Sequence, residues 1–146
     1  MRALILSIVG TFVYLGSLTW LVTFSLAWSN RGGIRGYLSP PPPPPVIVTI
    51  GNDFKFHPSQ VSAPLGGTVL WRNEAFDLHT VTADPAKAAD PAKHVLLPEG
   101  AQTWDSGLIK PDATFSHQFK VPGKYRYFCI PHEATGMVGE VIVGKE

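Results

Sequence analysis

Residues 125–139 read Tyr-Arg-Tyr-Phe-Cys-Ile-Pro-His-Glu-Ala-Thr-Gly-Met-Val-Gly. This stretch contains Cys129, which is the only cysteine in the 146 residues, and His132 three positions later. It also contains Met137, the only methionine after Met1. A single cysteine excludes an internal disulfide, so this thiol is a buried apolar side chain, a nucleophile or a metal ligand.

The combination of thiol, imidazole and thioether favours the last of these readings. Soft sulfur ligands with imidazole suit copper, and two His, one Cys and a weak axial Met form a type 1 copper site. Such a site needs a second histidine from elsewhere in the chain. The other four are His57, His79, His94 and His117.

Only one of these four lies where a ligand is expected. His57 precedes a proline in a turn, and His94 lies in an Ala- and Pro-rich segment. His117 shares a strand face with two phenylalanines, which is typical of a packed or edge histidine. His79 follows an irregular stretch at a junction between loop and strand, as expected for a ligand at the end of a β-sandwich.

The chain from Val46 onward reads as short strands separated by turns. Runs such as Val46–Ile50, Thr68–Asn73, His79–Thr82 and Val138–Val143 are rich in β-branched and aromatic residues. Turn signals every 8–12 residues predict an antiparallel β-sandwich of roughly 100 residues. Residues 83–100 interrupt the pattern with two copies of Asp-Pro-Ala-Lys, and we expect an inserted loop with a helical turn or two there.

The amino-terminal residues predict a different environment. Residues 3–28 contain no charged side chain, and as a helix they would span about 39 Å, enough to cross a hydrocarbon core of about 30 Å. Residues 29–45 contain a run of six prolines, which predicts a stiff polyproline linker. We therefore expect an uncleaved membrane anchor over 1–28, with a removed signal peptide as the less favoured alternative, a linker over 29–45 and a β-domain over 46–146.

Composition excludes some classes of partner. The formal net charge is +1, and the part from Val46 has nine basic and eleven acidic residues with both signs dispersed. This balance does not suggest nucleic-acid binding. The distribution of arginines around the apolar segment would mildly favour a cytoplasmic β-domain, so any placement outside the cytoplasm rests on other grounds.

A longer motif resembles a known family. The chain contains Gly-x-Val-x-Trp-x-Asn, then His-Thr-Val, then Gly-x-Tyr-x-Tyr-x-Cys-x-Pro-His-x-x-x-x-Met-x-Gly. This pattern resembles the cupredoxins, in particular their plastocyanin and pseudoazurin branch, over residues 46–144. The residues that carry the resemblance are Gly67, Val69, Trp71, Asn73, His79, Thr80, Val81, Gly123, Tyr125, Tyr127, Cys129, Pro131, His132, Met137 and Gly139.

The resemblance implies a fold, a cofactor and a function. It implies a Greek-key β-sandwich with one type 1 copper ion, held by His79, Cys129 and His132 as strong ligands and Met137 as the long axial ligand. It implies an electron carrier that exchanges one electron with a redox protein donor and acceptor and has no small-molecule substrate. The ring edge of His132 is expected at the surface, inside an apolar patch.

Two positions differ from photosynthetic plastocyanins. Phe128 stands where they usually have a tyrosine before the cysteine, and Thr80 stands where they often have asparagine. Together with the dispersed charges, these differences count against docking through an acidic patch. Ile130 should make the surface around the copper-binding end of the sandwich more apolar.

Other functions remain alternatives at this point. A multicopper enzyme needs His-x-His pairs or a histidine beside the cysteine, and a dinuclear copper centre needs two cysteines; the chain has neither. Copper delivery or storage is the main alternative, and a metal-free adhesive sandwich has no positive support. Because cupredoxins work outside the cytoplasm, we expect the copper domain on the periplasmic or extracellular side, or in a thylakoid lumen.

Overall fold

A computed structural model describes residues 41–144, and these form two packed β-sheets. The first sheet has the strand order β2-β1-β4-β7. Its strands are β1 (Val46–Ile50), β2 (Phe56–His57), β4 (Thr68–Asn73) and β7 (Thr114–Gln118). The second sheet has the order β3-β9-β8-β5-β6. Its strands are β3 (Gln60–Ala63), β5 (Thr82–Ala83), β6 (Trp104–Asp105), β8 (Gly123–Phe128) and β9 (Val138–Val143).

The all-β sandwich predicted from the sequence is confirmed. In β4, Val69, Trp71 and Asn73 are buried while the residues between them are more exposed. The same alternation in β9 buries every second residue. This period of two is what a strand with one face on the core requires.

The expectation that the sandwich is wholly antiparallel is wrong for two strand pairs. β1 runs parallel to β4, and β3 runs parallel to β9. The chain leaves β1 through β2, crosses to β3 in the other sheet, and returns to β4 in the same direction as β1. Parallel pairing needs such a crossover. The residue pattern of a single strand shows which face is buried and carries no information about the direction of its neighbour.

Aromatic side chains fill the space between the sheets. The indole N–H of Trp71 donates to the hydroxyl of Tyr127 at 2.9 Å, and the ring of Phe56 packs edge-on against Tyr127 at 4.8 Å. Cys129 and Met137 belong to the same buried cluster. The predicted metal-binding residues therefore extend one end of the hydrophobic core.

Within residues 41–144, helical structure is short and lies in two places. The inserted segment contains a 3₁₀ turn (Pro85–Lys87) and α1 (Pro91–His94), as the sequence predicts. A second 3₁₀ segment, Ile130–Thr135, joins β8 to β9. Asp84 and Asp90 each accept a hydrogen bond from a backbone N–H at the start of their helical turn, and proline follows each of them. An Asp-Pro pair is a favoured way to begin a helix.

The predicted membrane anchor, residues 1–28, and most of the predicted linker lie outside the described residues. Residues 41–45, the last five prolines of the linker, are exposed. Across 41–144, every helix is too short or too polar to pass through a bilayer.

Candidate metal centre

The four predicted ligands come from two parts of the fold, the loop after β4 and the connection from β8 to β9. His79 ends the loop after β4, and its backbone is fixed by two hydrogen bonds with Ile109, of 2.8 and 3.2 Å. The predicted strand over 79–82 is thus shorter than expected, since only Thr82–Ala83 forms a strand and His79 forms an isolated bridge. Cys129 directly follows β8, His132 lies in the 3₁₀ segment, and Met137 directly precedes β9.

The structure brings three of these side chains together. The Sγ atom of Cys129 lies 3.6 Å from Nδ1 of His79 and 3.4 Å from Nδ1 of His132. All three potential ligand atoms lie within 4.8 Å of one another, which is a geometry that can hold a metal ion. Residues 50 positions apart in sequence thus meet through the tertiary fold.

Burial divides the site into a closed interior and one accessible edge. His79, Cys129 and Met137 have no exposed surface, whereas His132 is partly exposed. This confirms the expectation that His132 reaches the surface. The ring of Phe54 lies 4.5 Å from the ring of His132 and covers one side of it.

Backbone hydrogen bonds hold the ligand loop in a tight turn. The N–H of Cys129 donates to the carbonyl of Met137 at 3.1 Å, and the N–H of Met137 donates to the carbonyl of His132 at 3.3 Å. The N–H of Thr80 donates to the Sγ atom of Cys129 at 3.3 Å. These hydrogen bonds thus join the predicted ligand residues of the loop to one another and to Thr80.

The protonation states suit a metal site. Burial lowers the pKa of His79, and repulsion from His132 lowers it further, so this imidazole favours its neutral, ligating form. Burial raises the pKa of Cys129, although hydrogen bonds from Thr80 and His132 act in the opposite direction. A metal ion that binds the sulfur must therefore displace a proton from it.

The donor set fits copper better than other common metals. One thiol and two imidazole nitrogens converge. The loop that carries Cys129 and His132 also contains a buried thioether, that of Met137. Magnesium and calcium require oxygen ligands, and structural zinc sites prefer four strong ligands. Two nitrogens with one thiolate and a weak sulfur donor match type 1 copper.

The remaining histidines lie elsewhere. His57 is exposed and contacts Asp53 at 2.8 Å. His117 stacks on Trp104 with ring centres 4.4 Å apart, which confirms it as a packed histidine. His94 is buried and bonds to Glu133.

Three residues near the site have roles that sequence reasoning missed. Glu133 and His94 form a buried pair 2.7 Å apart beside His132. Asn73 fixes the loop before His79, since its side chain donates to the carbonyls of Asp77 at 2.8 Å and Ile109 at 3.0 Å. The Trp-x-Asn motif marks Asn73 in the sequence, and its burial at the end of a strand is the signal that it could fix the following loop.

Comparison with known proteins places the fold and the site in one family. The family model for copper binding proteins of the plastocyanin/azurin family matches residues 46–144. Plastocyanin from Scenedesmus fuscus is 33% identical over 101 residues, which cover 67% of this chain and 98% of that protein. Plastocyanin from Synechococcus sp. is 31% identical over 110 residues, covering 72% of this chain and 77% of that protein.

Some relatives extend well beyond the matched region. The chloroplastic plastocyanin of Tetradesmus obliquus is 36% identical over 88 residues, which cover 60% of this chain and only 57% of that protein. The chain thus spans little more than half the length of this relative.

Solved structures agree with the sequence matches. A pseudoazurin from Sinorhizobium meliltoi matches with a TM-score of 0.53 and 25% identity over 68% of this chain and 73% of that one. A Cu(I) form of an amicyanin variant matches with a TM-score of 0.53 and 25% identity, covering 68% and 82% of the two chains. The chain therefore belongs to the plastocyanin/azurin family of copper-binding proteins, and its cofactor is one type 1 copper ion.

Proposed function

We propose that this protein is a one-electron carrier whose copper ion is held by His79, Cys129 and His132, with Met137 as the axial ligand. The observation that carries this proposal is the convergence of one thiol and two imidazoles within 4.8 Å at a largely buried site. Copper bound there supplies the Cu(II)/Cu(I) couple. The membership of the chain in a copper-binding family supports the same function.

A preorganised ligand set suits electron transfer. The Sγ atom of Cys129 and the backbone on both sides of it are held by hydrogen bonds to Thr80 and Met137. Since His79 and Met137 are fully buried in a packed core, they have little freedom to rearrange. A site that moves little between two charge states lowers the cost of gaining or losing an electron.

The partners are proposed to be a redox protein donor and a redox protein acceptor that dock around His132. Large apolar side chains next to the site are exposed: Leu78 precedes His79, Ile130 follows Cys129, and Leu108 precedes Ile109, which pairs with His79. Leu108 is 64% exposed, and Phe76, in the loop before His79, is 87% exposed. An apolar surface of this kind is typical of a protein-docking site.

Copper delivery or storage is the competing function. A delivery site must let its ion pass to another protein, and an accessible set of ligands makes this easier. Here His79, Cys129 and Met137 are fully buried, which supports retention of the ion and favours the electron carrier. We propose no enzymatic activity and no small-molecule substrate for the protein.

Membrane tethering belongs to the proposal as well. The uncharged run over residues 3–28 supports an amino-terminal anchor, and the six prolines that follow support a spacer between the anchor and the copper domain. We place the copper domain on the periplasmic or extracellular side, or in a thylakoid lumen. A reporter fused to the carboxyl terminus tests this topology, and reporter activity confined to the cytoplasm would refute it.

Visible absorption and electron paramagnetic resonance test the copper site. The full chain, purified in detergent and titrated with copper(II), should show an intense thiolate-to-copper band and a small copper hyperfine splitting. Cys129→Ser should abolish the band. His57→Ala, which removes an exposed histidine bonded to Asp53, is the matched control and should retain it. A colourless wild-type protein with an ordinary tetragonal spectrum would overturn the proposal.

A further inference from the structure

The inserted segment, which the electron-carrier function leaves unexplained, contacts the copper-ligand loop through Glu133. We propose that Glu133 is a positioning residue through which residues 84–96, here called the clasp, hold the loop that carries His132. This inference rests on the proposed assignment of His132 as a ligand. The contacts themselves involve Glu133, Ala89, Asp90 and His94, none of which is a proposed ligand.

The Glu133 carboxylate is the centre of the contact. It accepts hydrogen bonds from the backbone N–H of Ala89 at 2.9 Å and of Asp90 at 3.0 Å, and its Oε1 lies 2.7 Å from Nδ1 of His94. Glu133 and His94 are only 8% and 7% exposed. A buried carboxylate is costly unless it is paired, and here both oxygens have partners on the clasp.

These contacts also favour the charged form of the carboxylate. Burial raises the pKa of Glu133, but the hydrogen bonds from Ala89, Asp90 and His94 outweigh it, so that the pKa lies below its usual value. A charge-assisted hydrogen bond is about twice as strong as a neutral one. The clasp therefore holds the loop through two backbone N–H groups and one imidazole that contact the Glu133 carboxylate.

The clasp is itself anchored to the rest of the domain. The guanidinium of Arg126 donates to the carbonyl of Lys93 at 3.0 Å, and the backbones of Arg126 and Leu96 exchange hydrogen bonds of 2.9 and 3.2 Å. Arg126 lies in β8, the strand that ends just before Cys129. The contacts thus connect β8, which precedes Cys129, through the clasp to Glu133, which follows His132.

His132 needs such support more than the other candidate ligands. It is partly exposed, whereas His79, Cys129 and Met137 are enclosed by the core. Its backbone departs from the helical conformation of its neighbours, with φ −118° and ψ 20°. Fixing the adjacent residue by three contacts limits how far the imidazole can move.

Hydrogen exchange on the copper-free full chain gives the first test. In Glu133→Gln, the amides of His132, Gly136 and Met137 should exchange about tenfold faster, because the loop opens locally without unfolding the sheets. Amides in β1 and β4 should keep their wild-type rates. Glu99→Gln, which removes the same charge from an exposed position in the same inserted region, should leave all these rates unchanged.

Spectra and the reduction potential of the copper-loaded protein report on the copper site itself, which a change in stability alone would not alter. If Glu133 positions His132, the Gln variant should show an altered copper hyperfine splitting and a shifted reduction potential, while Glu99→Gln should match the wild type. Loop exchange that is unchanged, or accelerated equally in β1 and β4, would overturn the proposal, as would wild-type spectra in the variant.

A second variant covers the case in which Glu133→Gln does not fold. His94→Ala leaves two backbone donors to the carboxylate and should give a smaller, loop-confined acceleration of exchange. Wild-type exchange rates in this variant would count against the clasp. The hydrogen-exchange experiment uses no metal. A wild-type protein that fails to bind copper would therefore refute the electron-carrier function without affecting the exchange result.

Discussion

The backbone N–H of Thr80 lies 3.3 Å from the Sγ atom of Cys129 and donates a hydrogen bond to it. The hydroxyl of the same Thr80 accepts the N–H of Ile130 at 2.8 Å. One residue therefore binds the cysteine sulfur and the backbone just beyond it. Hydrogen bonds to a ligating sulfur are among the features that tune a copper site.

Thr80→Val should destabilise the copper-free protein. Valine has nearly the same shape but leaves the N–H of Ile130 without its acceptor, whereas the hydroxyl of Thr82 still has the Asp105 carboxylate at 2.9 Å. A loss of about 1–3 kcal/mol in the free energy of unfolding is expected for such an unsatisfied group. Urea denaturation measures it. Thr80→Ser keeps the hydroxyl and should lose clearly less; equal losses in the two variants would contradict the role of the hydroxyl.

Met137→Leu should retain the blue colour and raise the reduction potential. Leucine fills a similar volume, so the fully buried position should cost less than about 1.5 kcal/mol. The thioether is a weak donor, and its loss disfavours the oxidised state, since the axial ligand tunes the potential. Protein voltammetry with visible absorption measures both effects. A lower potential would argue against Met137 as the axial ligand.

Gly139→Ala should destabilise the fold strongly. A Cβ at this position would stand 2.3 Å from Cζ of Tyr127 and 2.4 Å from its hydroxyl. Tyr127 cannot easily yield, because it is fully buried and accepts the indole N–H of Trp71. Overpacking of this kind costs about 1–3 kcal/mol or more.

Thermal unfolding measures this effect, at roughly 4–8 °C per kcal/mol for a domain of this size. Gly144→Ala is the control at the other end of β9, where the described residues leave the Cβ position free to 4 Å. Similar melting temperatures for the two variants would show that the Tyr127 ring moves aside.

Glu140→Gln should reduce stability in a pH-dependent way. Glu140 joins Lys124 and Arg126 across β8 and β9, with contacts of 2.9 Å to each. The hydrogen bond from Lys124 is the main cause that lowers the pKa of Glu140, with Arg126 adding to it and burial opposing it. Because Lys124 is about half exposed, we expect the interactions to contribute only about 1 kcal/mol at pH 7.

The sign of the pH effect follows from the lowered pKa. The contribution is fully present above the unfolded-state pKa, near the ordinary glutamate value of 4.5, and is lost as pH falls through the lower folded-state pKa. Urea unfolding of wild type and variant should therefore differ at pH 7 and converge only once the pH falls below the lowered folded-state pKa. A difference that stays constant across this range would contradict the ionic contribution.

The sequence predicted those parts of the fold that depend on local pattern. The bounds of β4 and β9 follow from alternating apolar residues between turns, and the two Asp-Pro pairs predicted the helical turns of the inserted segment. The parallel pairings could not be predicted in this way. They depend on where the chain returns after crossing between sheets, which no single strand encodes.

In the site, too, features that depend on residues close in sequence were predictable, and a contact between distant residues was not. Cys129, His132 and Met137 are close in sequence, so their spacing alone indicated a metal site. The pairing of Glu133 with His94 joins residues 39 positions apart. Glutamate is usually exposed and histidine is intermediate in burial, so residue type alone did not distinguish these two from surface residues.

The parallel pairing of β3 with β9 has a consequence for how the protein folds. Gln60 lies opposite Glu140, so this contact closes a loop of about 80 residues. Contacts so distant in sequence give a high contact order, and proteins dominated by them fold slowly, in milliseconds to seconds. His79 and Cys129 are likewise 50 positions apart, so the candidate metal site is complete only when distant parts of the chain have met. The appearance of blue colour during refolding in copper should therefore report when these long-range contacts form.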